Sequence, residues 1–456
     1  VIPAISTTPE EYAPRRRARG ARCTVAAALV FFATSLGLTG AQALAQTTVG
    51  ATAPADTLTL DRVVDEVLRH NDSVSAARLM EEAARHRTSS AGAWEDPMLM
   101  VGVENVPTSF DFKQDMMTMT MVGVSQEIPL AGEKGLQAKA AGKEADAARE
   151  RRRFTEADLA ASAKIAYYEL YYRTRIVSEL ERQREILEQV VESATAKLRA
   201  NQAGQDEVLS SQAEVWRVES MILSAGQKAD AARYALNELR GAEAGSPVAI
   251  AAPPGDFDVP GSPDAWLDIA DRQYPPLQEL AHRSESYAYS AKAARRMRWP
   301  MLTLSGSYGF RSDTAMEPRD DMISLNAAVS LPIFKGRRQN DMALSMDAME
   351  SGVSAEAAQM RREVRSEILT LHDRASRLQK SLDLYRNRII PTADDAYESA
   401  LSGYINNRTS YASLLSYAQA EIRDRIAQHE IANELAMTLA QAGRYTWVPE
   451  ERTETQ

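Results

Sequence analysis

The sequence predicts a mainly α-helical protomer with a small β contribution, built as a duplicated helix–strand–strand–long helix–helix plan. Three observations carry this. Segments return at a nearly constant distance along the chain. Two stretches per copy alternate with period two. The remaining stretches are too long, and too evenly mixed in Ala, Glu, Arg, Gln and Leu, for a compact domain.

The repeat is legible residue by residue. "DPMLMVGV" (96–103) returns as "WPMLTLSG" (299–306), and "KIAYYEL" (164–170) as "EILTLHD" (367–373), both 203 residues later. "VSQEIP" (124–129) answers "VSLPIF" (329–334) at 205, and Asn201 answers Asn407 at 206. The first repeat is read as 59–242 and the second as 263–445. The Pro/Gly-rich segment 243–262 between them reads as a linker.

Before the repeats, "RRRARGAR" (15–22) precedes a short apolar run and the small residues Ala43 and Ala45. This order predicts a secretory signal peptide over 1–45, followed by an N-terminal extension over 46–58. Segment 1–45 holds five arginines, two glutamates and Cys23, the only cysteine. Its removal shifts the net charge from −10 to −13. An acidic chain of this kind argues against a nucleic-acid partner. Residues 446–456 read as a polar tail.

Within each copy a helical stretch comes first (59–93; 263–298), with apolar residues at helical spacing such as Leu60, Val63, Val64 and Val67. Two alternating runs follow, at about 97–105 and 117–129, and again at about 300–310 and 322–334. Then comes a helix of nearly 70 residues (about 134–200; about 337–403), interrupted by proline only at Pro391 in the second copy. A turn and a final helix close the half (206–242; 410–443). At ~1.5 Å per residue the long helix spans about 100 Å, and the two shorter helices end to end span about the same. Such lengths suit a tube in which one continuous helix lies beside a stacked pair.

The alternating runs have two unlike faces. Leu302, Leu304, Tyr308 and Phe310 share one side, and Thr303, Ser305 and Ser307 the other. Each run is about ten residues, the length of a tilted membrane strand. Four strands cannot close a membrane barrel, and open edges are not tolerated in lipid. Membrane strands here would therefore require several chains to share one barrel.

Taken together, these features resemble the outer-membrane efflux protein (TolC) family over about residues 58–445. The specific pieces are "VSQEIPLAG" and "VSLPIFKG" at the barrel–helix joints, marked by Pro97, Pro129, Pro300 and Pro332, and the helical turns within 198–214 and 402–421. The resemblance implies a homotrimer with a shared 12-stranded β-barrel and a trimeric α-helical tunnel. Its place would be the outer membrane of a Gram-negative bacterium, with the tunnel in the periplasm. Its partners would be a periplasmic adaptor, an inner-membrane pump and outer-membrane lipid. "DPMLMVGVENVP" followed by "MTMVGVSQEIPL" is most similar to the heavy-metal branch, cobalt–zinc–cadmium and copper–silver exporters. The same channel could instead serve multidrug efflux or type I protein secretion. A different class, a periplasmic coiled-coil adaptor or structural protein, would lack the barrel.

The resemblance also assigns the helical turns to a periplasmic tip that meets the adaptor and closes the tunnel. Its residues here are Asn201, Gly204, Asp206, Glu207, Asn407, Arg408, Ser413 and Ser416. Family turns usually carry Gly, but Asn is the next residue able to adopt positive φ. Ser413 and Ser416 stand where some relatives place constricting Asp rings. That leaves Asp206 and Glu207 as acidic candidates, though acids also suit an ordinary helix start.

Nothing in the chain points to catalysis or to a cofactor. The histidines at 70, 86, 282, 372 and 429 lack ligand spacing, and no nucleophile elbow, phosphate loop or H-E-x-x-H is present. The remaining chemical signal is methionine. Six of the 17 lie in 98–121. Aligning the copies places Met98, Met100, Met117, Met119 and Met121 on the Ser side of the strands. There they would offer soft thioether contacts to a metal cation passing through the lumen. A one-residue slip at a β-bulge would turn them to lipid instead.

Overall fold

The computed structural model describes residues 57–253, 257–313 and 318–447. The expected signal peptide, residues 46–56 of the extension and 448–456 of the tail lie outside them.

Each leading helical stretch is two helices, not the single one expected. In the first copy α1 (Leu60–His70) and α2 (Asp72–Gly92) meet at Asn71. Asn71 has extended backbone, accepts from Ser73 N–H at 2.9 Å and donates its side-chain amide to the Leu239 carbonyl. An Asn cap both stops one helix and starts the next. The second copy breaks at Tyr274, between α5 (Asp264–Gln273) and α6 (Pro275–Arg296). A residue before proline is pushed out of the helical region, and Tyr274 sits at φ −63°, ψ 113°.

The long helix of the first copy, α3 (Glu133–Arg199), runs 67 residues without interruption. It packs against α2, α6, α4 (Gln205–Arg240) and α9 (Tyr411–Tyr445). Toward its C-terminal end the buried residues are Ile176, Leu180, Gln183, Leu187, Val190 and Ala194. That three-and-four spacing is a coiled-coil seam. Its N-terminal half buries mostly alanine, which lets neighbouring helices approach closely. The second copy's long helix is divided. α7 (Gln339–Leu384) passes through a π turn at Tyr385–Ile389 into α8 (Ile390–Ile405), and α9 (Tyr411–Tyr445) returns along it.

Residues 243–253 and 257–262 are packed against the helices. Leu58 and Ile250 form a parallel bridge. The Tyr167 hydroxyl lies 2.7 Å from the Ala251 carbonyl and 3.2 Å from that of Leu58. His372 and Gln379 hold the Pro260 and Phe257 carbonyls. The same belt contains Val63, Val67, Tyr167, Leu236, Leu382 and Leu435, all buried.

The four strands β1 (Met98–Glu104), β2 (Met119–Ile128), β3 (Leu302–Phe310) and β4 (Met322–Val329) form one antiparallel sheet in sequence order. Each copy contributes a hairpin, and β2 pairs with β3 to join them. β4 ends earlier than the expected 334. Ser330 N–H still reaches the Met301 carbonyl, but Pro332 has no N–H to continue the ladder.

Candidate functional site

Two places collect the residues singled out by sequence: the sheet and the turns at the far ends of the long helices.

Across an antiparallel sheet, paired residues share a face. Met98 pairs with Ser125, which pairs with Ser305, which pairs with Asn326. Met100, Gly123, Ser307 and Ser324 form the next row, and Gly102, Met121, Gly309 and Met322 the one after. Glu104 and Met119 pair beyond that. Met98, Met100, Met119 and Met121 therefore lie on the serine face. Met117 does not belong to the row. Asp115 accepts from its N–H at 2.8 Å and keeps it in the turn before β2, where Arg311 reaches its sulfur. Met322, on the same face, was missed at the sequence level. The clue was its spacing of two from Ser324.

The opposite face is apolar and open. Leu99, Val101, Val103, Val122, Val124, Leu304, Tyr308, Phe310, Ile323, Leu325 and Val329 are all exposed, Leu325 at 82% and Ile323 at 73%. A contiguous apolar surface of this kind marks contact with a membrane or a partner. Large apolar and aromatic side chains also flank the sheet. Trp94 and Trp299 stand at the helix end, with Phe110 and Phe112 in the loop at the other. Pro97 and Pro129 directly abut β1 and β2. Pro300 and Pro332 lie just outside β3 and β4.

At the helical turns, Asn201 and Asn407 have φ of 54° and 57°. The two turns close in the same way. Gln202 N–H bonds to the Lys197 carbonyl and Asn201 N–H to Leu198; Arg408 bonds to Gly403 and Asn407 to Tyr404. This six-to-one and five-to-two pair terminates a helix through a left-handed residue. Gly204 then caps α4, and the Asp206 carboxylate folds into the space a Cβ at Gly204 would fill. Ser410 caps α9 by accepting from Ser413 N–H.

The turns are tied to each other by residues that sequence reasoning did not single out. The Lys197 ammonium donates to Asn407 Oδ1 at 3.0 Å and to the Tyr404 carbonyl, and lies 3.7 Å from the Tyr404 ring centre. The buried Tyr404 hydroxyl donates to Glu207. Burial first, and the Glu207 charge second, push the Tyr404 phenol up to about 12, so it stays a donor. The structure thus brings Asn201, Gly204, Asp206, Glu207, Asn407 and Arg408 to one end. Ser413 and Ser416 are exposed on the first turns of α9 beside them.

No family model matches this chain, and no curated protein does either. Solved structures do. The outer membrane protein VceC of Vibrio cholerae superposes with a TM-score of 0.69 at 16% identity, covering 85% of this chain and 96% of its own. The open-state MtrE outer membrane channel of Neisseria gonorrhoeae gives 0.70 at 17%, covering 85% and 88%. CusC, described in connection with transmembrane channel formation, gives 0.67 at 15%, covering 85% and 92%. This chain shares their fold.

Proposed function

We propose that this chain is one protomer of an outer-membrane channel of the TolC family, the exit duct of a tripartite efflux pump. The sheet is the observation that carries the reading. One face is apolar and exposed, the other carries Ser, Gly, Asn326 and Glu104 among five methionines, and among the described residues β1 and β4 have unpaired outer edges. Lipid suits the first face and water the second, while the open edges call for further copies. Three chains joined edge to edge would close a 12-stranded barrel. β2 and β3, of ten and nine residues, match a tilted crossing of the apolar band, and β1 and β4 fall one or two residues short of it. The likeness to outer membrane channels supports the same reading.

In this proposal the helices form a periplasmic tunnel. The paired turns at Asn201 and Asn407 are its tip, where an adaptor linked to an inner-membrane pump docks and the tunnel closes. The cargo is heavy-metal cations, supported by the methionines on the lumen face. The chain contributes a conduit and a docking surface, with no bond made or broken, and the partner pump supplies the energy.

The test is extraction and size. The protein is expected in the outer-membrane fraction, soluble only in detergent, and light scattering should report three chains. A water-soluble monomer in the periplasmic fraction would overturn the proposal.

A further inference from the structure

The serine face of the sheet carries five methionines, and their arrangement is ordered. Read from the helix end outward, successive rows contain Met98; Met100; Met121 with Met322; and Met119 beside Glu104. No row in this run lacks a thioether. Successive rows are two residues apart, about 7 Å along the strand.

The other residues in these rows are small. Gly102 leaves open space, Gly123 packs closely on Ser307, and Ser305, Ser307 and Ser324 supply only hydroxyls. The seat at Gly309 is specific, since a Cβ there would stand 2.5 Å from the Met119 sulfur. Met119 is accordingly buried at 6% exposure, while Met98 and Met100 stay open.

We infer that this row of methionines is a transfer path for soft monovalent cations of the Cu(I) and Ag(I) type. The inference rests on the barrel reading above, which makes the serine face the lumen and each row a ring. Thioether sulfur is a soft, neutral ligand. It suits Cu(I) and Ag(I) and is poor for hard ions and weaker for Zn(II). Neutrality matters for passage, because a chain of weak, closely spaced sites releases its ion where one tight site would trap it. Glu104 sits at the outer end of the run, where a carboxylate draws the cation toward the exit. The Met119 sulfur lies over Gly309, the residue between Met121 and Met322, so three thioethers gather at that row and it is the strongest of the series.

The test is conductance of the purified trimer in planar bilayers, in potassium nitrate, with silver nitrate as the probe. Micromolar Ag+ should reversibly reduce potassium conductance of the wild-type channel, and Zn2+ at equal concentration should not. Met100→Leu/Met119→Leu/Met121→Leu/Met322→Leu should raise the half-blocking Ag+ concentration at least tenfold. The smaller change Met121→Leu/Met322→Leu should raise it several-fold and serves if the fuller variant does not assemble. A conducting wild-type channel indifferent to Ag+, or equally blocked by Zn2+, overturns the inference. So does a leucine variant blocked as readily as wild type, which would assign the silver site elsewhere. A wild-type protein that forms no channel at all defeats the barrel reading instead, so the two failures are read separately.

Discussion

The two halves of the chain share a backbone plan and solve its local problems differently. In the first, α3 is one unbroken helix of 67 residues. In the second, the matching span carries Pro391, which has no N–H and whose ring would collide with the carbonyl four residues back. The helix yields one step earlier. Ile390 N–H bonds to the Tyr385 carbonyl five residues back, giving the π turn Tyr385–Ile389. The offset between copies grows from 203 to 206 across this interval, and a π turn absorbs one added residue. The hairpins diverge in the same spirit: on one shared face the first copy places methionine, and the second mainly small and hydroxyl residues. Duplication has kept the geometry of a strand pair and a long helix, while the chemistry exposed on it has been free to change.

The sharpest way to break this comparison is to charge the face that both hairpins share. Leu325→Arg places a cation on the apolar side of β4, at a cost of roughly 2–4 kcal/mol near a bilayer midplane. Trimer formation and outer-membrane recovery should be lost. Asn326→Arg, one residue on and facing the serine side, should still assemble. Equal behaviour of the two would mean that the sheet does not separate lipid from water.

A smaller effect is expected at a position where the copies differ. Tyr167 in the first half answers Thr370 in the second. The Tyr167 hydroxyl serves the Ala251 and Leu58 carbonyls within the buried belt. Tyr167→Phe leaves the Ala251 carbonyl without that donor, while Leu58 still accepts from Ala251 N–H, and should cost about 1–3 kcal/mol. Thr370 is exposed and bonds only back to Ser366 in its own helix. Thr370→Val should change thermal stability by less than half a kcal/mol. Comparable losses would show that the linker segment is not held as described.

Much of this architecture was legible in the sequence, because duplication supplied a second copy against which to check each reading. The faces of the strands followed from period two, since Ser305 and Ser307 fix the polar side and the offset carries it to Met98 and Met100. Positive φ at Asn201 and Asn407 followed from residue chemistry. What was missed lies partly in local capping and turn bonds and partly in contacts between segments distant along the chain. The break at Asn71 needs the Leu239 carbonyl, 168 residues away. Met117 leaves the methionine row because Asp115 captures its N–H, and alternation alone cannot see that. The tie from Lys197 to Tyr404 and Asn407 spans more than 200 residues, with no local signal at either end.

At the two helical turns the copies agree, so a matched pair of substitutions sharpens the comparison. A left-handed backbone costs a β-carbon residue about 1–2 kcal/mol, which Asn partly recovers through local hydrogen bonding. Asn201→Ala and Asn407→Ala should each lose about 1 kcal/mol of backbone stability, and Gly at either position should recover that part. Asn407→Ala should be the worse of the two, because it also removes the oxygen that accepts from Lys197. Thermal unfolding of the detergent-held protein reads the difference. Unequal backbone costs, with Gly failing at one turn only, would show that the turns are not equivalent.

The smallest expected effect is a pH dependence confined to the second half. His429 on α9 packs beside Tyr172, with a carboxylate oxygen of Glu179 3.9 Å from its ring nitrogen. Burial lowers its tendency to take a proton. Glu179 opposes this, and Arg175, Arg425 and Arg386 add to it. The ion-pair geometry with Glu179 alone would suggest a raised value, but burial and three surrounding guanidiniums outweigh one carboxylate at that distance. With the folded value below the unfolded one near 6.5, the unfolded chain binds the proton first as pH falls. Stability is therefore full above about pH 6.5 and declines below it, until the folded histidine is itself protonated. The first copy has no counterpart, since positions 223–226 hold only Leu, Ser, Ala and Gly. The unfolding midpoint of the wild type should fall between pH 7.5 and 5.5 by more than that of His429→Gln. If the variant falls as far, His429 is not the group that titrates, and the acid sensitivity lies in carboxylates common to both halves.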